Sequence, residues 1–153
     1  MKGTRVWDIP LRLFHWSLAI LVGISLYTGF LGGFDTMDYH MLSGYGILAL
    51  ILFRISWGIA GTRHARFTDF IPGPSAVIQY LKNFGTSDGV WPGHNPLGAL
   101  SVIAILLVLL VQASTGLFTN DDILLEGPLA HLVSYEVSRE ITGIHKLVAW
   151  GIA

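Results

Sequence analysis

The chain has 153 residues, of which 52% are hydrophobic and only 12% are charged, and its mean hydropathy is +0.60. About a quarter of the residues of an ordinary soluble domain are charged, so this composition indicates a membrane protein. The net charge of −1 excludes binding to a nucleic-acid backbone through bulk positive charge. The absence of cysteine excludes disulfides, thiolate metal sites, iron–sulfur clusters and covalently attached c-type haem.

Four apolar segments predict an all-α membrane protein, a bundle of four transmembrane helices that forms a single domain over residues 1–153. A helix that crosses a bilayer needs about 20 mostly apolar residues. The segments at about 13–34, 39–59 and 97–118 reach that length. No internal repeat and no low-complexity segment is evident along the chain.

The fourth apolar segment begins near residue 141 and runs to residue 153. A helix of about 13 residues is only about 20 Å long, which is short of the hydrocarbon core of about 30 Å. We therefore expect the fourth helix to be truncated in this sequence and to continue past Ala153. The third helix has a clear predicted start, because Asn95 and Pro96 are suited to its N-cap and first turn.

Charged residues separate between the two sides of the predicted membrane. The positive-inside rule places the basic side, with the N-terminus and the loop at about 60–95, in the cytoplasm. A short amphipathic stretch within this loop is predicted to lie on the membrane surface. The basic side holds Lys2, Arg5, Arg12, Arg54, Arg63, Arg66 and Lys82, and the acidic side holds Asp35, Asp38, Asp121, Asp122, Glu126, Glu136 and Glu140, with Arg139 as its main cation.

Three histidines lie inside predicted spans, where a titratable side chain is costly and indicates function. His40 opens the second helix and His145 lies close to the start of the fourth, so both are near the outer face at similar depth. Neutral imidazoles from two facing helices are good axial ligands for haem iron, and a bundle core is a usual cofactor site. The alternative for each histidine is a hydrogen bond to a loop or a place among the lipid headgroups.

His15 lies at the other depth, just inside the cytoplasmic boundary. A partner low on the fourth helix would lie about 13 residues past His145, since this gains about 20 Å of height. That position falls beyond Ala153. The sequence therefore contains one complete candidate ligand pair and half of another.

Small and cationic residues accompany these histidines. Gly44 lies one turn from His40, and Gly23 and Gly29 thin the first helix, so that a flat macrocycle could approach the backbone. Four arginines at the cytoplasmic end are candidates to pair with haem propionates: Arg12, Arg54, Arg63 and Arg66. For Arg54, the alternative is that the side chain only snorkels to the interface.

The remaining polar residues have mainly structural interpretations. His94 precedes an N-cap and is expected to brace that turn, and His64 is expected to face lipid. His131 is structural or faces a quinone or a partner. Near the end of the third helix, three residues are predicted to form hydrogen bonds between helices: Gln112, Ser114 and Thr115.

Four segments together resemble the bacterial cytochrome b561 family, which includes the b-type cytochrome subunit of nickel–iron hydrogenases. They are VWDIPLRLFHW, HMLSGYGILALILFRISWGIAGTRHARF, GHNPLGALSVIAILLVLLVQASTGLF and GPLAHLVSYEVSREITGIHKLVAW. The resemblance covers essentially the whole chain in the correct order. It implies a four-helix cytochrome b domain in the bacterial inner membrane that holds two b-type haems, one near each face.

Residue by residue, the resemblance implies that His40 and His145 bind the outer haem iron and that His15 binds the inner one. The second inner ligand is expected beyond Ala153. The implied function is electron transfer in a respiratory chain, between the quinone pool and a periplasmic partner such as a c-type cytochrome or a hydrogenase.

Two alternatives remain open: a membrane oxidoreductase acting on superoxide and quinone at the haem edge, and a haem-free structural subunit or small transporter. The acidic outer face would repel superoxide, and the midplane breaks of a transporter are not evident. A homodimer is compatible with the sequence, but no residue pattern supports it.

Overall fold

Two long antiparallel helices joined by a short turn begin the described part of the chain. The computed structural model describes residues 8–84, 95–123 and 125–153. The first helix, α1, spans Ile9–Phe30, and the second, α2, spans Met37–Ala60. Asp8 starts α1, since its side chain accepts a hydrogen bond from the Leu11 amide.

Two short and two long helices follow in chain order: α3 (Phe67–Phe70), α4 (Pro74–Lys82), α5 (Pro96–Gly116) and α6 (Tyr135–Ile152). Asn95 caps α5 as predicted, because its Oδ1 accepts from the Gly98 amide. The amphipathic stretch of the loop forms α4, with Ile78 and Leu81 exposed. Over these described ranges no strand forms, and the protein is all-helical.

Three helical segments are long and apolar enough to cross a membrane: Ile9–Phe30, Phe34–Ala60 and Pro96–Gly116. This makes the chain a multi-pass membrane protein. The first predicted span began four residues late, because Arg12 was taken as its boundary although the cap at Asp8 sets the start. The described structure thus supports three of the four predicted spans by length and composition.

The predicted start of the fourth helix at 141 is wrong. Ser134 caps α6 by accepting a hydrogen bond from the Val137 amide, so the helix begins at Tyr135. Its 18 residues give a length of about 27 Å. Its first two turns are polar, and a search for apolar runs therefore misses them.

The long helices pack in the order α1, α2, α5, α6. Near the basic end, the core is formed by Leu11, Phe14, Ala65 and Leu106. Deeper in the bundle it is formed by Ile47, Ile51 and Leu109. At the acidic end, α1 and α6 meet through the rings of Phe30 and Trp150, whose centroids are 4.7 Å apart.

Asp8 joins three elements at the basic end. One carboxylate oxygen caps α1, and the other accepts hydrogen bonds from Trp57 Nε1 at 3.0 Å and Thr62 Oγ1 at 2.6 Å. Burial raises the pKa of Asp8, but these hydrogen bonds and the attraction of Arg54 outweigh burial and hold its pKa below the usual value. The folded state therefore favours the ionised form.

We expect Asp8→Ala to lower the free energy of unfolding by about 1–2 kcal/mol, because it removes an N-cap together with the acceptor of two further hydrogen bonds. Because the pKa of Asp8 is lower in the folded state than in the unfolded state, its contribution to stability is fully present above about pH 4. The contribution is lost as the pH falls through the pKa of the folded state. Thermal unfolding in detergent at neutral and acidic pH checks both statements. The exposed Asp69→Ala is the control, and an Asp8→Ala effect that persisted undiminished at pH 2 would contradict the linkage.

Arg54 lies inside the protein, so the interpretation that it snorkels is wrong. Its side chain is only 3% exposed. The guanidinium donates to the Ala65 carbonyl at 3.2 Å and lies 4.7 Å from the ring centre of Phe67. A buried guanidinium is tolerated where a carbonyl and an aromatic face replace water. Arg54 thus fastens the segment after α2 onto that helix, and its pairing with a haem propionate stays a prediction.

Candidate functional site

A cavity of ≈ 620 Å³ lies among the four long helices toward the acidic end. This volume is typical of pockets for small molecules and cofactors. Its wall is mostly apolar and includes His40 from α2 and His145 from α6. A mostly apolar wall with a few convergent polar groups is the usual pattern of a cofactor pocket.

His40 and His145 lie close together at this cavity. Their ring centroids are 6.2 Å apart and their planes make an angle of 85°. Two imidazoles that bind one metal from opposite sides, with metal–nitrogen bonds of about 2.0–2.1 Å, have ring centres about 6 Å apart. The observed centroid spacing would therefore allow both rings to hold one metal between them.

Both rings have the same tautomer. His40 Nδ1 lies 3.0 Å from the Ser25 carbonyl oxygen, and His145 Nδ1 lies 3.0 Å from the Gln112 carbonyl oxygen. A carbonyl oxygen only accepts hydrogen bonds, so each Nδ1 carries the hydrogen and each neutral ring has its lone pair on Nε2. A hydrogen bond from one ring nitrogen to a carbonyl is what orients a metal-ligating histidine.

Gln112 and Thr115 bond across the α5–α6 interface, as predicted. Gln112 Nε2 lies 3.2 Å from His145 Nε2, and Thr115 Oγ1 lies 3.1 Å from His145 Nδ1. Gln112 Oε1 is buried and has no hydrogen-bond partner within the described part of the chain. A buried acceptor without a partner costs about 1–3 kcal/mol. The cavity wall therefore carries a polar atom that a bound group can satisfy.

The three glycines singled out in the sequence have different surroundings. Gly44 lines the cavity, and a Cβ placed there would meet nothing within 4 Å. Gly29 also lines the cavity, and a Cβ placed there would lie 3.0 Å from His40 Cε1. Gly23 lies outside the cavity wall on an exposed side of α1. Of these three, Gly29 and Gly44 line the cavity, and only at Gly44 would an added Cβ meet nothing within 4 Å.

His15 is not brought to the other two histidines. It lies ten residues before Ser25 on α1, which is about 15 Å along the helix axis. Its Nδ1 lies 2.8 Å from the Leu11 carbonyl oxygen, so its lone pair is also on Nε2. His15 is exposed at the basic end, and its assignment to an inner haem stays a prediction.

The other predicted residues lie away from the cavity. Arg12 and Arg63 are exposed at the basic end, and Arg66 Nε donates to the Gly61 carbonyl. His64 and His131 are exposed in short 3-10 turns. The prediction for His94 falls outside the described residues, as do the positions of Lys2 and Arg5.

Sequence reasoning missed Lys146 and Gly116. Lys146 lines the cavity next to His145, and it is the only Lys or Arg among the described lining residues. A Cβ at Gly116 would lie 3.1 Å from His145 Cε1, so glycine makes room for that ring. Lys146 could have been found from the sequence, because it directly follows the candidate ligand His145.

Apolar spanning helices around a cavity lined by two histidines indicate a multi-pass membrane protein with a candidate cofactor site between its helices. The chain belongs to the prokaryotic cytochrome b561 family, whose model matches residues 6–153.

Curated relatives are similar at low identity. Three carry the name probable Ni/Fe-hydrogenase B-type cytochrome subunit. The protein of Azotobacter vinelandii is 25% identical over 127 residues, which are 67% of this chain and 53% of the relative. The protein of Cupriavidus necator is 24% identical over 132 residues, which are 71% of this chain and 54% of the relative. The chain thus spans about half the length of these relatives, and no solved structure matches it significantly.

Proposed function

We propose that this protein carries electrons across the bacterial inner membrane with b-type haem, as part of a respiratory chain. The observation that carries the proposal is the His40–His145 pair, whose rings lie 6.2 Å apart at the wall of an apolar cavity. Membership of a cytochrome family and the names of the relatives support it.

The residues at the cavity fit a haem better than a bare metal ion. Across residues 8–84, 95–123 and 125–153, no three His, Cys, Asp or Glu side chains are grouped so as to hold a metal ion. Two imidazoles suffice when the other ligands arrive with the metal, as they do in a porphyrin. Haem iron held by two imidazoles supplies reversible one-electron exchange.

Each residue then has a definite role. His40 and His145 would bind the iron through Nε2, since their Nδ1 hydrogens are held by backbone carbonyls. Gly44 would leave room for the macrocycle at α2. Lys146 would pair with a carboxylate of the haem, because it is the cation of the described cavity wall.

The proposal includes a second haem near the basic end. His15 would supply one ligand there, and the other would come from outside the 153 residues of this sequence. Arg12 and Arg54 would lie near its propionates. The basic end would face the cytoplasm by the positive-inside rule, which places α1 with its N-terminus inside.

The acidic end would face the periplasmic redox partner. Its exposed carboxylates include Asp35, Asp38, Asp122, Glu126, Glu136 and Glu140. Such a surface attracts a positively charged partner, and the attraction is screened by salt. A hydrogenase or a c-type cytochrome would exchange electrons there, with the quinone pool as the second redox partner. If the rate of electron exchange with such a partner did not change with ionic strength, this docking would be contradicted.

Haem content tests the proposal directly. The pyridine haemochrome assay and a reduced-minus-oxidised spectrum of the purified full-length protein should show haem b, at one haem per chain if only the outer site forms and two if both form. A colourless protein with no haem b would overturn the proposed function and leave a structural membrane subunit.

A further inference from the structure

The two cavity histidines rest on two copies of the same local structure. On α1 the pair Thr28-Gly29 lies against His40, and on α5 the pair Thr115-Gly116 lies against His145. We call each Thr-Gly pair a histidine seat. Each seat is only two residues long, so the two pairs do not amount to an internal repeat of the chain.

The α1 seat holds His40 through two polar atoms and one glycine. Thr28 Oγ1 donates to the Ile24 carbonyl at 2.7 Å, so its lone pairs are available to the His40 Nδ1 hydrogen at 3.3 Å. The Ser25 carbonyl accepts from the same Nδ1 at 3.0 Å. A Cβ at Gly29 would lie 3.0 Å from His40 Cε1 and 3.2 Å from Nδ1. The ring therefore packs directly on the helix backbone.

The α5 seat repeats these contacts. Thr115 Oγ1 donates to the Val111 carbonyl at 2.8 Å and lies 3.1 Å from His145 Nδ1. The Gln112 carbonyl, three residues before the threonine as Ser25 is on α1, accepts from Nδ1 at 3.0 Å. A Cβ at Gly116 would lie 3.1 Å from His145 Cε1 and 3.5 Å from Nδ1. The two seats thus agree contact by contact.

We propose that Thr28-Gly29 and Thr115-Gly116 are equivalent positioning pairs that fix His40 and His145 in the Nδ1-protonated tautomer at the distance set by one shared iron. The inference rests on the proposed function, since it concerns how the outer haem is held. Each seat lies on the helix next to the one that bears its histidine. A seat therefore couples the packing of α1 on α2, or of α5 on α6, to the position of an Nε2 atom.

An alanine at either glycine would push its histidine ring away from the carbonyl that accepts the Nδ1 hydrogen. A lengthened Nδ1–H···O bond makes the imidazole a weaker donor to iron, which destabilises the oxidised state and raises the reduction potential. Loss of such a supporting contact typically weakens metal binding by about 10–100-fold. Because the seats are alike, the expected changes at the two positions have the same sign and similar size.

The test compares Gly29→Ala and Gly116→Ala in the full-length, haem-loaded protein. Haem affinity and the midpoint potential of the outer haem are measured by titration. We expect binding weaker by about 10–100-fold and a higher potential in each variant. Two matched controls are Gly23→Ala on α1 and Gly143→Ala on α6, where a Cβ meets nothing within 4 Å. Both controls should keep the haem affinity and the midpoint potential of the wild type.

Threonine variants keep the test informative if a glycine variant fails to fold. Thr28→Val removes the hydroxyl acceptor and should raise the potential, whereas Thr28→Ser keeps the hydroxyl and should restore it. Variants that are less stable but have an unchanged potential would show a packing role only and would overturn the inference.

Failure of the proposed function is a separate result. If the wild type binds no haem, the tautomers are read from the ¹⁵N shifts of its labelled histidines and those of Gly29→Ala and Gly116→Ala. An Nδ1–H tautomer that is present in the wild type and lost at the matching histidine of each variant supports the seats. The same tautomer in all three proteins overturns them.

Discussion

Replacing either His40 or His145 with alanine should remove the outer haem from the protein. Among the described residues, these are the two imidazoles that line the cavity, and their centroid spacing of 6.2 Å would fit one metal between them. Loss of a supporting contact costs about 10–100-fold in metal affinity, so loss of a ligand should cost more than about 100-fold. The reduced-minus-oxidised spectrum and the haemochrome assay of the full-length protein would each show one haem fewer per chain.

The control for these variants is His64→Ala, because His64 is exposed in a turn far along the chain from both ligands. This variant should keep the wild-type spectrum. His15→Ala should leave the outer haem in place and affect only an inner one. An outer haem that survived in both His40→Ala and His145→Ala would contradict the assignment of the ligands.

A methyl group at Gly58 should destabilise the basic end of the fold. Gly58 is buried on α2, and a Cβ there would overlap the ring of Phe67, which itself covers the Arg54 guanidinium. Overpacking of this kind costs about 1–3 kcal/mol. That cost exceeds the gain of about 0.5–1 kcal/mol that alanine brings to a helix. Gly58→Ala should therefore lower the free energy of unfolding in detergent.

Gly23→Ala provides the matched comparison for this stability measurement. Gly23 is exposed on α1 and has no neighbour within 4 Å of a new Cβ, so only the helix gain applies. The two substitutions should thus change stability in opposite directions. Equal effects would show that Phe67 moves aside without loss and that the Arg54 contacts do not hold this end together.

The start of α6 illustrates where reasoning from the sequence is limited. The apolar run begins near residue 141, but the helix begins at Tyr135. Its first turns are polar because they belong to the acidic end, and there a serine cap and tertiary contacts set the boundary. Ser138, in this polar part, is buried and donates to the Phe118 carbonyl. Hydropathy identifies the part of a helix that is surrounded by lipid. It therefore underestimates the length of a helix whose first turns lie in polar surroundings.

Arg54 illustrates the same limit for a single residue. Near the end of an apolar span, an arginine is expected to reach water, and here it lies 3% exposed against Ala65 and Phe67. These partners come from the segment that folds back onto α2. Whether such a side chain reaches water or is buried depends on which neighbours the fold places beside it. The local sequence does not contain that information.

The sequence by itself determined the membrane class, three of the spans, the separation of charge and the positions of His15, His40 and His145 along their helices. These properties depend on the hydrophobicity and charge of the residues along one segment. They do not depend on how the segments pack together. Only the tertiary structure decided that His40 and His145 share one cavity, that each Nδ1 bonds to a carbonyl of the neighbouring helix, and that a glycine receives each ring. Those features arise from the approach of two helices, which fixes distances that no single segment encodes.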